Sequence, residues 1–217
     1  YKLAVNSGPN TIHGSINLIL SNDNLDEKSK HNLYEDINYA SHRMKRLITN
    51  ILDSTRLSSG KIDLKLEWCD FEDIVGVALN EFSQIQSDEK LEVKIDELSL
   101  FWGDNILLTQ LIVNLLDNAF KYSKSQTKIY FEIINLNNFI KIKIFNETEY
   151  IDKKKIKNIF DKFYRFEDTN DISGSGIGLA ICKSIVKLHN GEIRAISQDN
   201  GILIEIDLPI VKRAKLL

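Results

Sequence analysis

"LTQLIVNLLDNAFKYS", residues 108–123, sets two carboxamides, Asn114 and Asn118, four positions apart in a stretch otherwise rich in Leu, Ile and Val. The apolar residues recur at helical spacing, so the stretch reads as a helix, and side chains four apart on a helix share a face. Lys121 and Tyr122 lie just beyond on the same face. Amides among apolar neighbours cost free energy unless something fills their hydrogen-bonding capacity. Taken alone, the pair is as readily a helix-packing feature as a ligand site.

Two further stretches give it a context. "SGSGIGLAICKSIVKLHNGEI" (173–193) places Gly174, Gly176 and Gly178 ahead of a strongly amphipathic helix. Glycine lets a backbone approach an anion closely, and a helix N-terminus offers unpaired N–H groups. No Walker lysine follows and no ribose-binding acid closes a βαβ unit, so this is neither a P-loop nor a dinucleotide fingerprint. "IFDKFYRF" (159–166) has the aromatic spacing of core packing. Its Arg165, however, opens the polar run "FEDTNDIS", where a guanidinium can clamp a phosphate.

Outward from these stretches, the chain divides in two. In residues 32–57, Leu33, Ile37, Ala40, Met44, Leu47 and Ile51 form a heptad seam, widened by Ile48 and Leu52. Ile12, Ile16, Ile19 and Leu20 repeat the helical spacing upstream, and the polar "SNDNLDEKSK" between them allows a reversal. One helical hairpin cannot bury two such stripes, so a homodimeric four-helix bundle is expected. "SSGK" (58–61), with Gly60 suited to a helix end, marks the boundary. Ile62, Leu64, Leu66 and Trp68 then alternate as a strand, followed by a helix in "FEDIVGVALNEFSQIQ". Strands follow in "LEVKID", "KIYFEII", "FIKIKIFN" and "ILIEIDLP", with helices at 105–123 and 178–190. The expected domains are residues 1–60 and 61–217, the second an α/β sandwich with helices on one face of an open sheet.

Composition narrows the class. The chain has 217 residues, 43% hydrophobic and 27% charged, with a net charge of −3, so nothing electrostatic draws it to nucleic acid or an anionic membrane. Cys69 and Cys182 lie far apart without companion ligands and read as reduced thiols of a cytoplasmic protein. No run of about 18 apolar residues is present. No leader is expected, and the start at Tyr1 suggests a piece of a longer chain.

Jointly and in this order, the motifs resemble those of sensor histidine kinases. "NLLDNAFKY" is similar to their N box, "FDKFYR" to the F box and "GSGIGLAI" to the G2 box. "RLITNILDSTRLSSGKIDLKLEWCDFEDIV" resembles the second dimerisation helix and linker of the KdpD-like, potassium-responsive group. The resemblance implies a Bergerat (GHKL) fold binding ATP and Mg²⁺. Asn114 and Asn118 would hold phosphate oxygens and the metal, with Asn118 as the metal ligand; Lys121 would touch a phosphate and Tyr122 would flank the nucleotide. Arg165, Gly174, Gly176, Gly178 and Leu179 would complete the nucleotide site. It also implies autophosphorylation of a histidine and transfer to the receiver domain of a response regulator. The whole protein would be anchored in the bacterial inner membrane through segments outside this chain.

Three departures matter. Where the family's G1 box has an aspartate for the adenine amino group, "IFNETEYID" has Asn146, whose amide oxygen can still accept; Thr148 and Tyr150 replace the glycines. The hydrolytic GHKL machines need a glutamate at the first N-box position to activate water; Asn114 stands there, which argues for phosphoryl transfer over hydrolysis. The acceptor histidine is not found. Counting back from Pro9 gives Ala4, and His13, His31, His42 and His189 lack the family context. Between Ser7 and Ile12 the chain is about seven residues shorter than the box it resembles, as though residues were deleted, replaced or missing from order. The rival expectation is therefore a dimeric nucleotide-binding pseudokinase.

Overall fold

The computed structural model describes residues 2–22, 24–58, 63–82, 90–98, 100–148, 153–165 and 175–210. Gly60, Tyr150 and Gly174 lie outside them. The chain forms two compact units, one of residues 1–55 with 173–175, which holds the N-terminal helices, and one of residues 56–172 and 176–217.

In the first unit, α1 (Lys2–Ser21) runs unbroken through Pro9. Proline in a helix interior removes one N–H donor and usually kinks or ends the helix; here the helix continues on both sides. The shortfall expected between Ser7 and Ile12 thus leaves no interruption in the backbone. Helix α2 (Glu27–Ser58) starts on an Asp26 cap that accepts from the Ser29 N–H (2.8 Å) and hydroxyl (2.7 Å). These bonds hold the Asp26 carboxyl below its ordinary range. Of the heptad seam, Ala40 is buried and Leu33, Ile37, Met44 and Ile51 are half-buried, whereas Ile48 and Leu52 remain about half exposed.

The second unit is built on two sheets. β1 (Glu67–Cys69) and β3 (Phe101–Gly103) form an antiparallel ribbon in which Trp68 lies opposite Trp102, their rings edge to face at 5.0 Å. The strand expected from Ile62 is only these three residues long; residues 63–66 carry no regular structure. The larger sheet has the order β2-β4-β5-β7-β6, with β2 (Leu91–Ile95) parallel to β4 (Ile129–Asn135) and the other neighbours antiparallel. On β5 (Phe139–Glu147), Ile140, Ile142, Ile144 and Asn146 are buried while Lys141 and Lys143 face outward. That period of two gives the sheet one apolar face. β7 (Gly201–Pro209) repeats the alternation, and β6 (Glu192–Ser197) closes the edge.

The apolar face is covered by helices. α3 (Phe71–Asn80), capped by Asp70, and α6 (Gly178–Leu188) flank α4 (Asn105–Tyr122), which packs on β5; the single turn α5 (Lys153–Ile156) lies near β6. α4 is buried nearly all round: Leu108, Leu111, Ile112, Leu115 and Leu116 are wholly inaccessible. Each such side chain contributes roughly 1.5–3 kcal/mol. α4 is thus a rigid central rod, and the two amides read from sequence ride on it. The expectation of helices on one face of an open sheet holds for this unit. β3 and β6 were not anticipated: β3 is too short to show a pattern, and Ala195 and Ser197 blur the alternation of β6.

Candidate nucleotide-binding site

Asp104 starts α4. Its backbone is extended (φ −93°, ψ 106°) and its Oδ1 accepts the Leu107 N–H at 3.1 Å, filling one donor that the helix start would otherwise leave open. Ten residues on, Asn114 is 6% exposed among apolar neighbours, and its Nδ2 has no hydrogen-bond partner. An unmet buried donor costs about 1–3 kcal/mol. A packing amide is normally satisfied; this donor is not.

The side chain facing Asn114 is the absent one of Gly178, the first residue of α6. A β-carbon there would sit 3.7 Å from Asn114 Oδ1. The residue before it, Ile177, supplies no side-chain cap to the first N–H groups of α6. Uncapped helix N–H groups and the positive end of the helix dipole favour an anion. Here they meet the unpaired Asn114 amide. Leu179 follows, half-buried on α6, and Asn118 is half-buried one turn further along α4.

Gly176 explains how the loop meets the F box. It has φ +67°, its carbonyl accepts the Phe163 N–H at 2.9 Å, and a β-carbon would lie 2.8 Å from the Tyr164 carbonyl oxygen. Only glycine fits such a conformation pressed against backbone. Phe163 itself has φ +65° and a half-exposed ring. Two residues on, Arg165 hydrogen-bonds the Tyr122 hydroxyl. Burial pushes that hydroxyl above its ordinary value and the guanidinium pulls it part of the way back. The structure thus joins Asn114 to Gly178, Gly176 to the F box, and Arg165 to Tyr122.

Two expected residues have other engagements. Lys121 is ion-paired with Asp117 one turn earlier on α4. Asn146 ends the buried row of β5, 4% exposed, and its Nδ2 donates to the Glu147 carbonyl at 3.5 Å.

His189 joins the end of α6 to the start of α4. It is 6% exposed, its Nε2 accepts the Asp104 backbone N–H at 3.0 Å, and its Nδ1 lies 2.9 Å from the Ile185 carbonyl. A backbone N–H can only donate, so the ring proton sits on Nδ1 and the imidazole is neutral in this arrangement. Asp104 Oδ2 also takes the Lys65 N–H at 2.9 Å. Sequence reasoning missed this junction; "GDN" before an apolar run signalled the cap, but nothing local signalled the histidine.

A family model described as "Histidine kinase-, DNA gyrase B-, and HSP90-like ATPase" matches residues 103–212. Sensor protein KdpD of Clostridium acetobutylicum is 34% identical over 88% of this chain, and the chain spans 22% of that protein's length. Among solved structures, full-length ShkA in complex with AMPPNP has a TM-score of 0.67 at 17% identity, covering 96% of this chain and 44% of that one. Histidine kinase ThkA in complex with the response regulator protein TrrA has a TM-score of 0.64 at 20% identity, covering 96% and 60%. At those identities the structures establish a shared fold. With the matched segment spanning half of the chain, from β3 to the end of β7, the protein belongs to the histidine kinase, gyrase B and HSP90-like ATPase family, and within it carries a sensor histidine kinase catalytic core.

Proposed function

We propose that this chain binds Mg²⁺-ATP and acts as the core of a two-component sensor histidine kinase, with residues 61–217 as the ATP-binding domain and residues 1–60 as a dimerisation hairpin. The observation that carries the reading is the buried, unpaired Asn114 amide against the uncapped start of α6. It supports a site built for phosphate oxygens rather than for packing. Asn118 would hold the metal, which supplies charge neutralisation for the phosphates. Among the described residues, no group of three His, Cys, Asp or Glu is placed to hold a metal, so a magnesium ion would take most of its ligands from phosphate and water. Lys121 would exchange Asp117 for a phosphate, and Asn146 would accept from the adenine amino group.

In the reaction, an imidazole nitrogen bonds to the γ-phosphorus as its bond to the bridging oxygen of ADP breaks; the phosphoryl group then passes to a receiver aspartate. Positioning and charge stabilisation dominate such transfers, and the site offers both without a general base for water. A response regulator partner is suggested by the ThkA–TrrA structure. The homodimer is suggested by Ile48 and Leu52, which stay about half exposed on α2. The described residues include no helix long and apolar enough to cross a membrane; anchoring in the inner membrane, with this core on the cytoplasmic side, would come from other parts of the protein.

A second reading, the non-catalytic nucleotide-binding module, is favoured by the acceptor. Ala4 stands five before Pro9, and on α1 His13 has its Nδ1 lone pair engaged by the Asn17 amide at 3.1 Å. Incubation with γ-labelled ATP and Mg²⁺ separates the two: acid-labile, alkali-stable label on the chain, moving to an added receiver domain, supports the kinase. Nucleotide binding without label supports the module. Asn118→Ala should abolish Mg²⁺-ATP binding, read by titration with a fluorescent ATP analogue, while leaving the sedimentation coefficient unchanged. Unchanged affinity would overturn the site assignment.

A further inference from the structure

We infer that His189 is a positioning residue: with Asp104 it forms a clasp that fixes the axial register of α6 against α4, and thereby holds the open N-terminus of α6 against Asn114. Three contacts run along the two helices in opposite directions. The end of α6 meets the start of α4 where His189 Nε2 accepts the Asp104 N–H at 3.0 Å. Midway, Cys182 Sγ lies 3.8 Å from the Leu111 carbonyl. The start of α6 meets the middle of α4 where Gly178 faces the Asn114 carboxamide. The helices are therefore antiparallel, and the segments between clasp and site span closely matched lengths, about 15 Å on α4 and about 16 Å on α6.

The buried side chains between the ends are almost wholly apolar: Leu108, Leu111 and Leu115 on α4, and Ile181, Cys182 and Ile185 on α6. Apolar burial is non-directional, so it sets the spacing of two helices far better than their sliding along each other. A hydrogen bond is directional and fails beyond about 3.5 Å, so it does resist a slip of one residue, about 1.5 Å. The Asp104–His189 bond is buried, with both residues 6% exposed, so water cannot replace it. Asp104 is itself fixed by the α4 cap and by the Lys65 N–H. The ring is fixed at its other nitrogen by Ile185, so neither partner can follow a slip.

Two conservative variants of the full chain separate this role from mere packing. In His189→Gln an amide oxygen reaches the place of Nε2 and keeps the acceptor for Asp104. In His189→Asn the shorter side chain keeps a donor for Ile185 and loses the bond between helices. The first readout needs no nucleotide: hydrogen exchange at the Ile181 and Cys182 amides, near the start of α6. The expected result is exchange accelerated about tenfold or more in His189→Asn, as for one unmet buried donor, and within about threefold of the original in His189→Gln. Equal exchange in the two variants would overturn the clasp, because packing alone distinguishes them little. The second readout, affinity for a fluorescent ATP analogue with Mg²⁺, rests on the nucleotide reading and should rank the variants in the same order. An original chain that binds no nucleotide defeats that reading, while the exchange result still decides the clasp.

Discussion

A β-carbon at Gly178 would rest at ordinary contact distance from Asn114, 3.7 Å, so the fold has room for it and the site does not. Gly178→Ala should leave the melting temperature unchanged or raise it, since alanine in a helix is favoured over glycine by roughly 0.5–1 kcal/mol. The same methyl fills the gap between the open N–H groups and the amide, and nucleotide affinity should fall at least about tenfold; calorimetry and ligand titration on one sample check both. A residue placed only for packing would not separate the two. Cys182 carries a second prediction. Burial pushes its thiol far above its usual value of 9.0. Below that value both the folded and the unfolded chain hold the proton, and the thiol leaves stability independent of pH. Above it the unfolded chain releases a proton that the fold keeps, so stability declines by up to about 1.4 kcal/mol per pH unit for this group. Thermal melts from pH 7 to 10 should show that decline, with a shallower slope in Cys182→Ala. At this scale the sequence was legible where periodicity is long: the helix that carries Asn114 and the helix that starts at Gly178 both run as their apolar spacing indicates. The Asp104–His189 bond was not, because its partners are 85 residues apart and each alone has an ordinary local explanation.

At the scale of elements, the outer face of the large sheet carries an alternating row of charge across all five strands: Lys94, Glu132, Lys143, Glu205 and Arg194 are successive register partners. Arg194 reaches Glu205 at 2.7 Å and Asp207 at 3.3 Å. Directly opposed unlike charges on adjacent strands contribute about 0.2–1 kcal/mol per pair, and like charges reverse the sign. Lys143→Glu sets three acids side by side and should destabilise by about 1–2 kcal/mol in urea titration, with part of the loss recovered in 1 M salt. Unaltered stability would show the row to be solvated ornament. Long strands such as β5 and β7 were readable because a buried face imposes a period of two over many residues. The ribbon of β1 and β3 was not, since three residues cannot display a period. For α1 the spacing was readable only from Ile12 onward, yet the helix starts at Lys2 and runs through Pro9, where a proline gives no local sign that a helix continues.

For the whole molecule, two compact units on one chain imply two cooperative transitions unless something couples them. Helix content is divided between them, since α1 and α2 belong to the first and α3, α4 and α6 to the second. Tryptophan is not divided. The chain's two tryptophans, Trp68 and Trp102, meet edge to face on the small ribbon, next in sequence to Asp104. Tryptophan emission, excited where tyrosine does not absorb, therefore comes from the second unit alone, and unfolding of the hairpin with its Tyr34 and Tyr39 is dark to it. Denaturation followed by tryptophan emission should report one transition, of the second unit, while ellipticity at about 222 nm reports both. Superimposable curves would show that the units melt as one. The edge-to-face pair thus gives the protein a built-in optical reporter placed beside the helix that carries its amides, so tryptophan emission that shifts on adding ATP would mark a change around that ribbon.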